Sequence, residues 1–137
     1  MATTQQRSID VLFVIAPHSL LLDIAGPSEA FRLGNLRRAE LGLPARFRLR
    51  FAGPVPMTAT SVGLSLAKLE PLPERLSAAT WVVLVGQPNA HSGHVTPATL
   101  GTQQWLSRTL HKHLSAASAP RTTICWRRCM RSRRRHR

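Results

Sequence analysis

The stretch 9-IDVLFVIAPHSLLLDIAGPSEAF-31 decides which fold this sequence can adopt. It opens with Ile9–Ala16, an apolar run too continuous for a strand that has one solvated face. Such a run is typical of a strand covered on both faces in a parallel sheet. A short loop at 17–19 follows, and then come the carboxylate of Asp23 and the Gly26-Pro27 pair. A buried strand that delivers an acid to its carboxyl end predicts a site at that edge of an open α/β sheet.

The composition limits the classes of protein that need to be considered. A chain of 137 residues holds at most one domain. Aromatic residues make up 5% and Tyr is absent, so no aromatic platform for base stacking is expected. No apolar run approaches the roughly 20 residues of a membrane helix, and the polar start at 1–8 is no secretory signal. We therefore expect a cytoplasmic protein that does not enter a membrane.

The rest of the chain predicts alternating strands and helices. The alternation in Phe47–Phe51 predicts an edge strand with Arg48 and Arg50 on a solvated face. In the first helix, Ala30, Phe31 and Leu33 are expected to face the sheet. The order strand, helix, strand, hairpin, strand, helix, strand indicates an α/β domain with a mainly parallel sheet. The other expected elements are a helix over Leu21–Arg38, a hairpin or extended excursion within Pro54–Leu66, a short helix or irregular crossover over Leu69–Ala79, a buried strand at Trp81–Gly86, a helix over Pro97–Leu114 capped by Thr96, and a β-prone run at Arg121–Cys125.

Three pieces of sequence, taken in order, carry a resemblance to a known family. They are Leu22-Asp23-x-x-Gly26-Pro27-x-Glu29-x-Phe31, the strand Val82–Gly86, and Thr123-Ile124-Cys125. Over residues 9–125 the chain resembles the PfpI (ThiJ-type) family of the class I glutamine-amidotransferase-like superfamily. The first motif is most similar to the amino-terminal sensor domains of AraC-type transcription regulators. The resemblance implies a flavodoxin-like fold, with helices on both faces of the sheet, that is incomplete at its carboxyl end.

The resemblance also implies a site. Cys125 would stand on a nucleophile elbow, where a following helix N-terminus favours the thiolate. Asp23 occupies the position where the family keeps an acid beside that sulfur. Backbone N–H groups at Gly86 and Gln87 would face a developing oxyanion. Family members usually carry a second glycine where Gln87 stands, and a turn that needed positive φ there would be strained.

The last twelve residues depart from the family pattern. A small residue and then Gly usually follow the family's cysteine, whereas Trp126-Arg127-Arg128 follow Cys125. When these residues are written in GC-rich codons and shifted by one base, they read as an Ala/Gly-rich segment. We therefore expect residues 1–8 to be disordered, 9–125 to form a partial PfpI-type domain, and 126–137 to be a disordered Arg-rich tail produced by a frameshift in a longer regulator gene.

Three functions remain open on the sequence. The preferred one is a small-molecule sensor that dimerises and meets DNA only through a helix-turn-helix domain missing from this chain, with Asp23, Gly86, Gln87 and Cys125 around the ligand. The alternative is a hydratase- or amidase-like enzyme of the isonitrile hydratase type, in which Cys125 is the nucleophile and Asp23 its acid/base partner.

The third function follows from the charge. Seven of the 19 Lys and Arg residues lie after Cys125, and the net charge is +13, so the tail could bind polyanions without specificity. Cys125 and Cys129 give no disulfide framework. The pairs His91/His94 and His111/His113 lack the helical spacing with an acid that zinc enzymes use, so we expect no metal and no cofactor.

Overall fold

A computed structural model describes residues 8–77, 79–88, 96–115 and 123–125, except for the side chains of 110–115 and 123–125. Seven strands and two helices are assigned in these ranges. In chain order they are β1 (Ile9–Val14), α1 (Leu21–Glu40), β2 (Phe47–Gly53), β3 (Met57–Ala59), β4 (Ser65–Ala67), β5 (Glu70–Pro71), β6 (Thr80–Leu84), α2 (Pro97–Ser115) and β7 (Thr123–Cys125).

The main sheet has the strand order β5-β2-β1-β6-β7, and every neighbouring pair in it is parallel. Without the two-residue strand β5, the order β2-β1-β6-β7 is the 2-1-3-4 order of a flavodoxin-like sheet. The strands β3 and β4 form a separate antiparallel hairpin. The predicted fold class and the predicted order of elements are therefore confirmed.

β1 is buried on both faces, as its continuous apolar run predicts. Its odd-numbered residues Val11 and Phe13 pack with Ile24 of α1, and its even-numbered residues Leu12 and Val14 pack with Trp105 of α2. Side chains alternate across a strand, so one six-residue strand supplies the core beneath both helices. Helices therefore cover both faces of the sheet, as expected.

α1 turns a different face to the sheet than the sequence analysis expected. Phe31 packs against Phe47 and Trp81, with ring centroids 5.0 and 6.0 Å away, so its prediction is confirmed. Ala30 and Leu33 are exposed, and the prediction for them is wrong. The reason is helical geometry: Ile24 and Phe31, seven residues apart, share the buried face, and Leu33 lies about 180° around the helix from Ile24.

The two arginines of β2 are solvated to different degrees: the side chain of Arg48 is 65% exposed, as expected, whereas that of Arg50 is 27% exposed. β2 is the second strand from the edge, although β5 pairs only with its last two residues, Ala52 and Gly53. Arg48 donates two hydrogen bonds of 2.7 Å to Asp10, a β1 residue that is 3% exposed. Arg50 donates to Glu70 at 2.9 Å. The two arginines thus connect three strands through ion pairs, although Arg48 keeps a solvated side.

α2 begins as predicted. Thr96 precedes the helix, and its Oγ1 accepts a hydrogen bond from the backbone N–H of Thr99 at 3.2 Å. A threonine at this position satisfies one of the N–H groups that lack a partner within the helix. Trp105 is 5% exposed and anchors α2 to the sheet. Its indole N–H donates to the carbonyl of Pro73 at 2.6 Å, which joins α2 to the irregular crossover between β5 and β6.

Candidate functional site at the carboxyl ends of β1 and β6

The strand order places a topological switch point, the crevice of an open α/β sheet, between the carboxyl ends of β1 and β6. From β1 the chain continues to β2, which lies on one side of this crevice. The strands β6 and β7 lie on the other side. The connections therefore diverge between the carboxyl ends of β1 and β6. In open α/β sheets this switch point is where ligands bind.

The loop that follows β1 is held rigidly over this crevice. Ser19 is fully buried, and its hydroxyl donates to the carbonyl of Ala16 at 2.7 Å. The backbone N–H of Ser61 donates to the carbonyl of Ser19 at 2.9 Å, and that of His18 donates to Ala59 at 2.8 Å. The hairpin formed by β3 and β4 therefore fixes the loop from one side.

His18 at the tip of this loop has φ of +61°, in the left-handed region that few residues other than Gly adopt and in which Asn, Asp and His are the most frequent of them. Such conformations persist where the surrounding structure enforces them and are concentrated at functional sites. The sequence placed His18 near the exit of β1 but gave no sign of this backbone state.

Asp23 and Gly86 are in direct contact across the crevice. The backbone N–H of Leu20 donates to the carbonyl of Gly86 at 2.8 Å, which brings the start of α1 against the end of β6. A Cβ atom added to Gly86 would lie 2.8 Å from Oδ2 of Asp23. The carboxylate thus occupies the space that a side chain at Gly86 would fill. Asp23 also lies in the first turn of α1, where the helix dipole favours a negative charge.

Gln87 contributes through its side chain. Its Nε2 donates to the carbonyl of Pro17 at 2.5 Å, which ties the end of β6 to the loop after β1. Among the described residues other than glycine, only His18 and Lys68 have positive φ, so the strain considered for Gln87 does not arise. No local sequence pattern indicates this role, because the contact joins residues 70 positions apart.

Cys125 ends β7 at the same edge of the sheet. β7 runs parallel to β6 with Cys125 in register with Val83, three residues before Gly86. At about 3.3 Å per residue, the Cys125 backbone lies roughly 10 Å below the level of Gly86 along the strand. The direction of the Cys125 side chain and the elbow expected after it lie outside the described residues. The structure therefore brings Asp23, Gly86 and Gln87 together and places the Cys125 backbone on the adjacent strand.

Several sequence predictions fall outside the described part of the chain. They are the disordered ends at 1–7 and 126–137, the loop histidines His91 and His94, and Cys129. Within the described residues, no group of three or more His, Cys, Asp and Glu side chains is placed to hold a metal ion. Neither described helix has an apolar stretch long enough to cross a bilayer.

Comparison with known proteins gives similarities at the level of solved structures. No protein-family model matches the chain, and no curated protein matches it. A THiJ/PfpI family protein from Pseudomonas syringae is 13% identical, with a TM-score of 0.48 over 76% of this chain and 40% of that one. An AraC family transcriptional regulator from Pseudomonas putida is 17% identical, with a TM-score of 0.45 over 73% of this chain and 49% of that one.

This chain thus spans less than half the length of the two solved structures. It is similar to a ThiJ/PfpI protein and to an AraC-family regulator, as the sequence motifs suggested. At these identities the similarity concerns the fold and not the activity. The flavodoxin-like assignment rests on the strand order and the parallel pairing described above.

Proposed function

We propose that this chain is the small-molecule-sensing domain of an AraC-type transcription regulator, with its ligand held at the crevice between β1 and β6. The observation that carries the proposal is the contact between Asp23 and Gly86 at the switch point of the sheet. A carboxylate placed over the strand ends can accept hydrogen bonds from a ligand or pair with a cationic group on it. In this proposal Gln87 and Cys125 border the same crevice.

A ligand screen tests the sensing function. The full chain is heated with a panel of polar metabolites, and a ligand of this site raises the melting temperature because it binds only the folded state. Asp23→Asn should weaken binding of any hit at least tenfold, since a hydrogen bond to a charged group contributes about 1.5–3 kcal/mol. The matched control is Glu29→Gln, because Glu29 lies on the same helix but is exposed and paired with Arg32. A hit that binds equally well to the Asp23→Asn variant would refute this site.

The main alternative is a cysteine-dependent enzyme of the same fold. The position of Cys125 at the carboxyl end of β7, next to β6, is the observation that keeps it open. This alternative requires iodoacetamide to alkylate Cys125 faster than Cys129 at neutral pH, and Asp23→Asn to remove the difference. Equal alkylation rates, together with binding of a hit without turnover, support sensing.

The transcription part of the proposal requires a DNA-binding domain in the intact gene product. Sequencing the gene through the codons for 126–137 tests it. An alternative frame that continues into an Ala/Gly-rich helix and later a helix-turn-helix supports the proposal. If the gene holds no such frame, this chain is not part of an AraC-type regulator. Deleting residues 126–137 should also remove any polyanion binding, and retained binding would place it in the folded domain.

A further inference from the structure

A large cavity lies away from the crevice at Asp23. It has a volume of about 900 Å³ and is bounded by the end of β2, the crossover that follows β5, and α2. This volume is near the upper end of the range found for small-molecule pockets, about 300–1,000 Å³. No local sequence pattern indicates this cavity, because its walls come from three segments that are distant along the chain.

The inner wall of the cavity is apolar and fixed in place. Trp105 and Leu69 are 5% and 8% exposed, and both line it. The indole N–H of Trp105 is already bonded to Pro73, so the ring offers the cavity only apolar surface. Gly53 stands close to the carbonyl of Ile15, and Leu69 donates its N–H to Pro56 at 3.0 Å. A wall held by these contacts does not need to be ordered when a ligand binds.

The charged groups of the cavity are exposed side chains on its outer side. Arg75 comes from the crossover, and Arg108 comes from α2, where Gly101, Trp105 and Arg108 recur at i, i+4 and i+7 on one face. Within the described residues neither arginine forms an ion pair, whereas Arg32, Arg37, Arg48 and Arg50 all do. Arg108 donates one hydrogen bond, from its Nε to the carbonyl of Gln104 at 3.3 Å, so its terminal nitrogens are the donors that a ligand would use. Glu74 also lines the cavity, which leaves its lining with one net positive charge.

We propose that this cavity is a second binding site, and that it takes a small apolar monoanion such as a medium-chain carboxylate. The apolar tail would lie on Trp105 and Leu69, and the carboxylate would accept hydrogen bonds from Arg75 and Arg108. Guanidinium groups match a carboxylate with paired donors, and the bonds are strengthened by the charges. The site is independent of the crevice at Asp23 and stands whether or not that crevice binds a metabolite.

Calorimetric titration of the full chain with octanoate tests this site. One octanoate should bind per chain, and octanol, which has the same tail without the charge, should bind at least tenfold more weakly. The zwitterion 2-aminooctanoate should also bind more weakly than octanoate. Tighter binding of the zwitterion would show that Glu74 dominates recognition and would overturn the assignment of a monoanion. Absence of octanoate binding to the folded chain would refute the site.

Variants locate the binding. Gly101→Leu should remove octanoate binding, because the nearest atom to an added Cβ there is Cβ of Pro54 at 3.9 Å, so the new side chain extends into the cavity. Gly26→Leu is the matched control, since Gly26 lies on α1 with no atom within 4 Å of an added Cβ. Equal octanoate affinity in the two variants would place binding elsewhere.

Reversal of the exposed charges gives a second measurement that does not alter the core. Arg75→Glu combined with Arg108→Glu should weaken octanoate binding at least tenfold and leave octanol binding within twofold. Arg37→Glu, on the outer face of α1, should leave both affinities unchanged. Asp23→Asn should also have no effect on octanoate binding. An effect of Asp23→Asn equal to that of the double reversal would assign the octanoate to the crevice and refute a separate site.

Discussion

Gly53 ends β2 and Gly86 follows β6, yet the surroundings of the two residues differ. A Cβ on Gly86 would meet the carboxylate oxygen of Asp23, the mobile end of a side chain. A Cβ on Gly53 would lie 2.8 Å from the backbone carbonyl oxygen of Ile15 and 3.1 Å from Leu69. Substitution by Ala should therefore displace one side chain at Gly86, whereas at Gly53 it should destabilise the whole domain.

We expect Gly86→Ala to move the Asp23 carboxylate while the free energy of unfolding stays within about 1 kcal/mol of the parent. Gly53→Ala should lower it by about 1–3 kcal/mol, because the backbone of Ile15 cannot move aside without disturbing β1. Urea denaturation measures both, and the ¹³C shift of the Asp23 carboxyl reports its displacement. Equal destabilisation by the two substitutions would contradict the geometry of the crevice.

Asp10 is a buried carboxylate whose charge is stabilised at the amino end of β1. The paired hydrogen bonds from Arg48 hold the pKa of Asp10 below its usual value, opposed by burial and assisted by the hydroxyl of Ser77. The unfolded chain therefore binds the proton more tightly than the folded chain. The stabilisation is present above the unfolded pKa of 3.8 and is lost as the pH falls through the lower folded pKa.

Asp10→Asn should lower the free energy of unfolding by about 2 kcal/mol at pH 7, because it removes the charge from hydrogen bonds that join β1 to β2. The difference from the parent should shrink as the pH falls below the unfolded pKa of 3.8, because the unfolded parent chain takes up a proton there whereas the folded chain does so only at lower pH. Denaturant melts at pH 7 and pH 3 measure this. Glu40→Gln, which affects an exposed pair with Arg37, is the control and should change stability by less than about 1 kcal/mol.

The helix α1 is linked to the start of the strand β2 by the side chain of Asn35. Its Oδ1 accepts hydrogen bonds from the backbone N–H groups of Arg46 and Phe47 at 2.9 and 3.0 Å, and its Nδ2 donates to the carbonyl of Phe47 at 2.7 Å. One side chain on the sheet-facing side of α1 thus satisfies three backbone groups where β2 begins. The helix is held to the sheet by these bonds as well as by apolar packing.

We expect Asn35→Ala to destabilise the domain by about 2–3 kcal/mol, since it leaves half-buried backbone groups without partners. Asn35→Asp keeps the acceptor for Arg46 and Phe47 but places a negative charge near the carbonyl of Phe47, so it should also destabilise. Gln104→Ala, on the exposed face of α2, is the control. Thermal melts with Asn35→Ala within about 0.5 kcal/mol of the parent would show that packing alone sets the position of α1.

The outer face of α1 is the surface through which we propose that the homodimer expected from the sequence would form. Leu22, Leu33 and Leu36 are 78%, 53% and 50% exposed, and with Gly26 and Glu29 they follow a spacing of four and three residues. This spacing is that of a helix–helix seam. A second copy in antiparallel orientation, centred on this seam, would place Leu22 of one α1 opposite Leu36 of the other.

Leu33→Glu combined with Leu36→Glu should convert a dimer into a monomer in sedimentation velocity, because each exchange places a charge in the seam. The melting temperature at low protein concentration should stay near that of the parent, since neither side chain contributes to the core. Arg32→Glu beside the seam is the control and should leave the dimer intact. A parent chain that sediments as a monomer at about 100 µM would refute this dimer surface.

Much of the fold could be predicted from local patterns. The continuous apolar residues of β1, the Thr96-Pro97 start of α2 and the order of elements are short-range features, and each is found in the structure. The buried face of α1 was harder to predict, because Ala30, Phe31 and Leu33 are all apolar and only packing shows which of them the sheet buries. The role of Arg48 was missed because its partner Asp10 lies 38 residues away.

The candidate site, like the fold, could be predicted only in part. Local sequence patterns are enough to predict that an acid follows the first buried strand, that a glycine comes at the end of the second, and that a cysteine ends a third β-prone run. Only the tertiary structure decided that Asp23 fits the space beside Gly86, that Gln87 binds Pro17, and that a cavity opens next to Trp105. The physical reason is that strand periodicity is encoded by neighbouring residues, whereas a crevice or a cavity depends on distances between segments that only the pairing of strands and the packing of helices set.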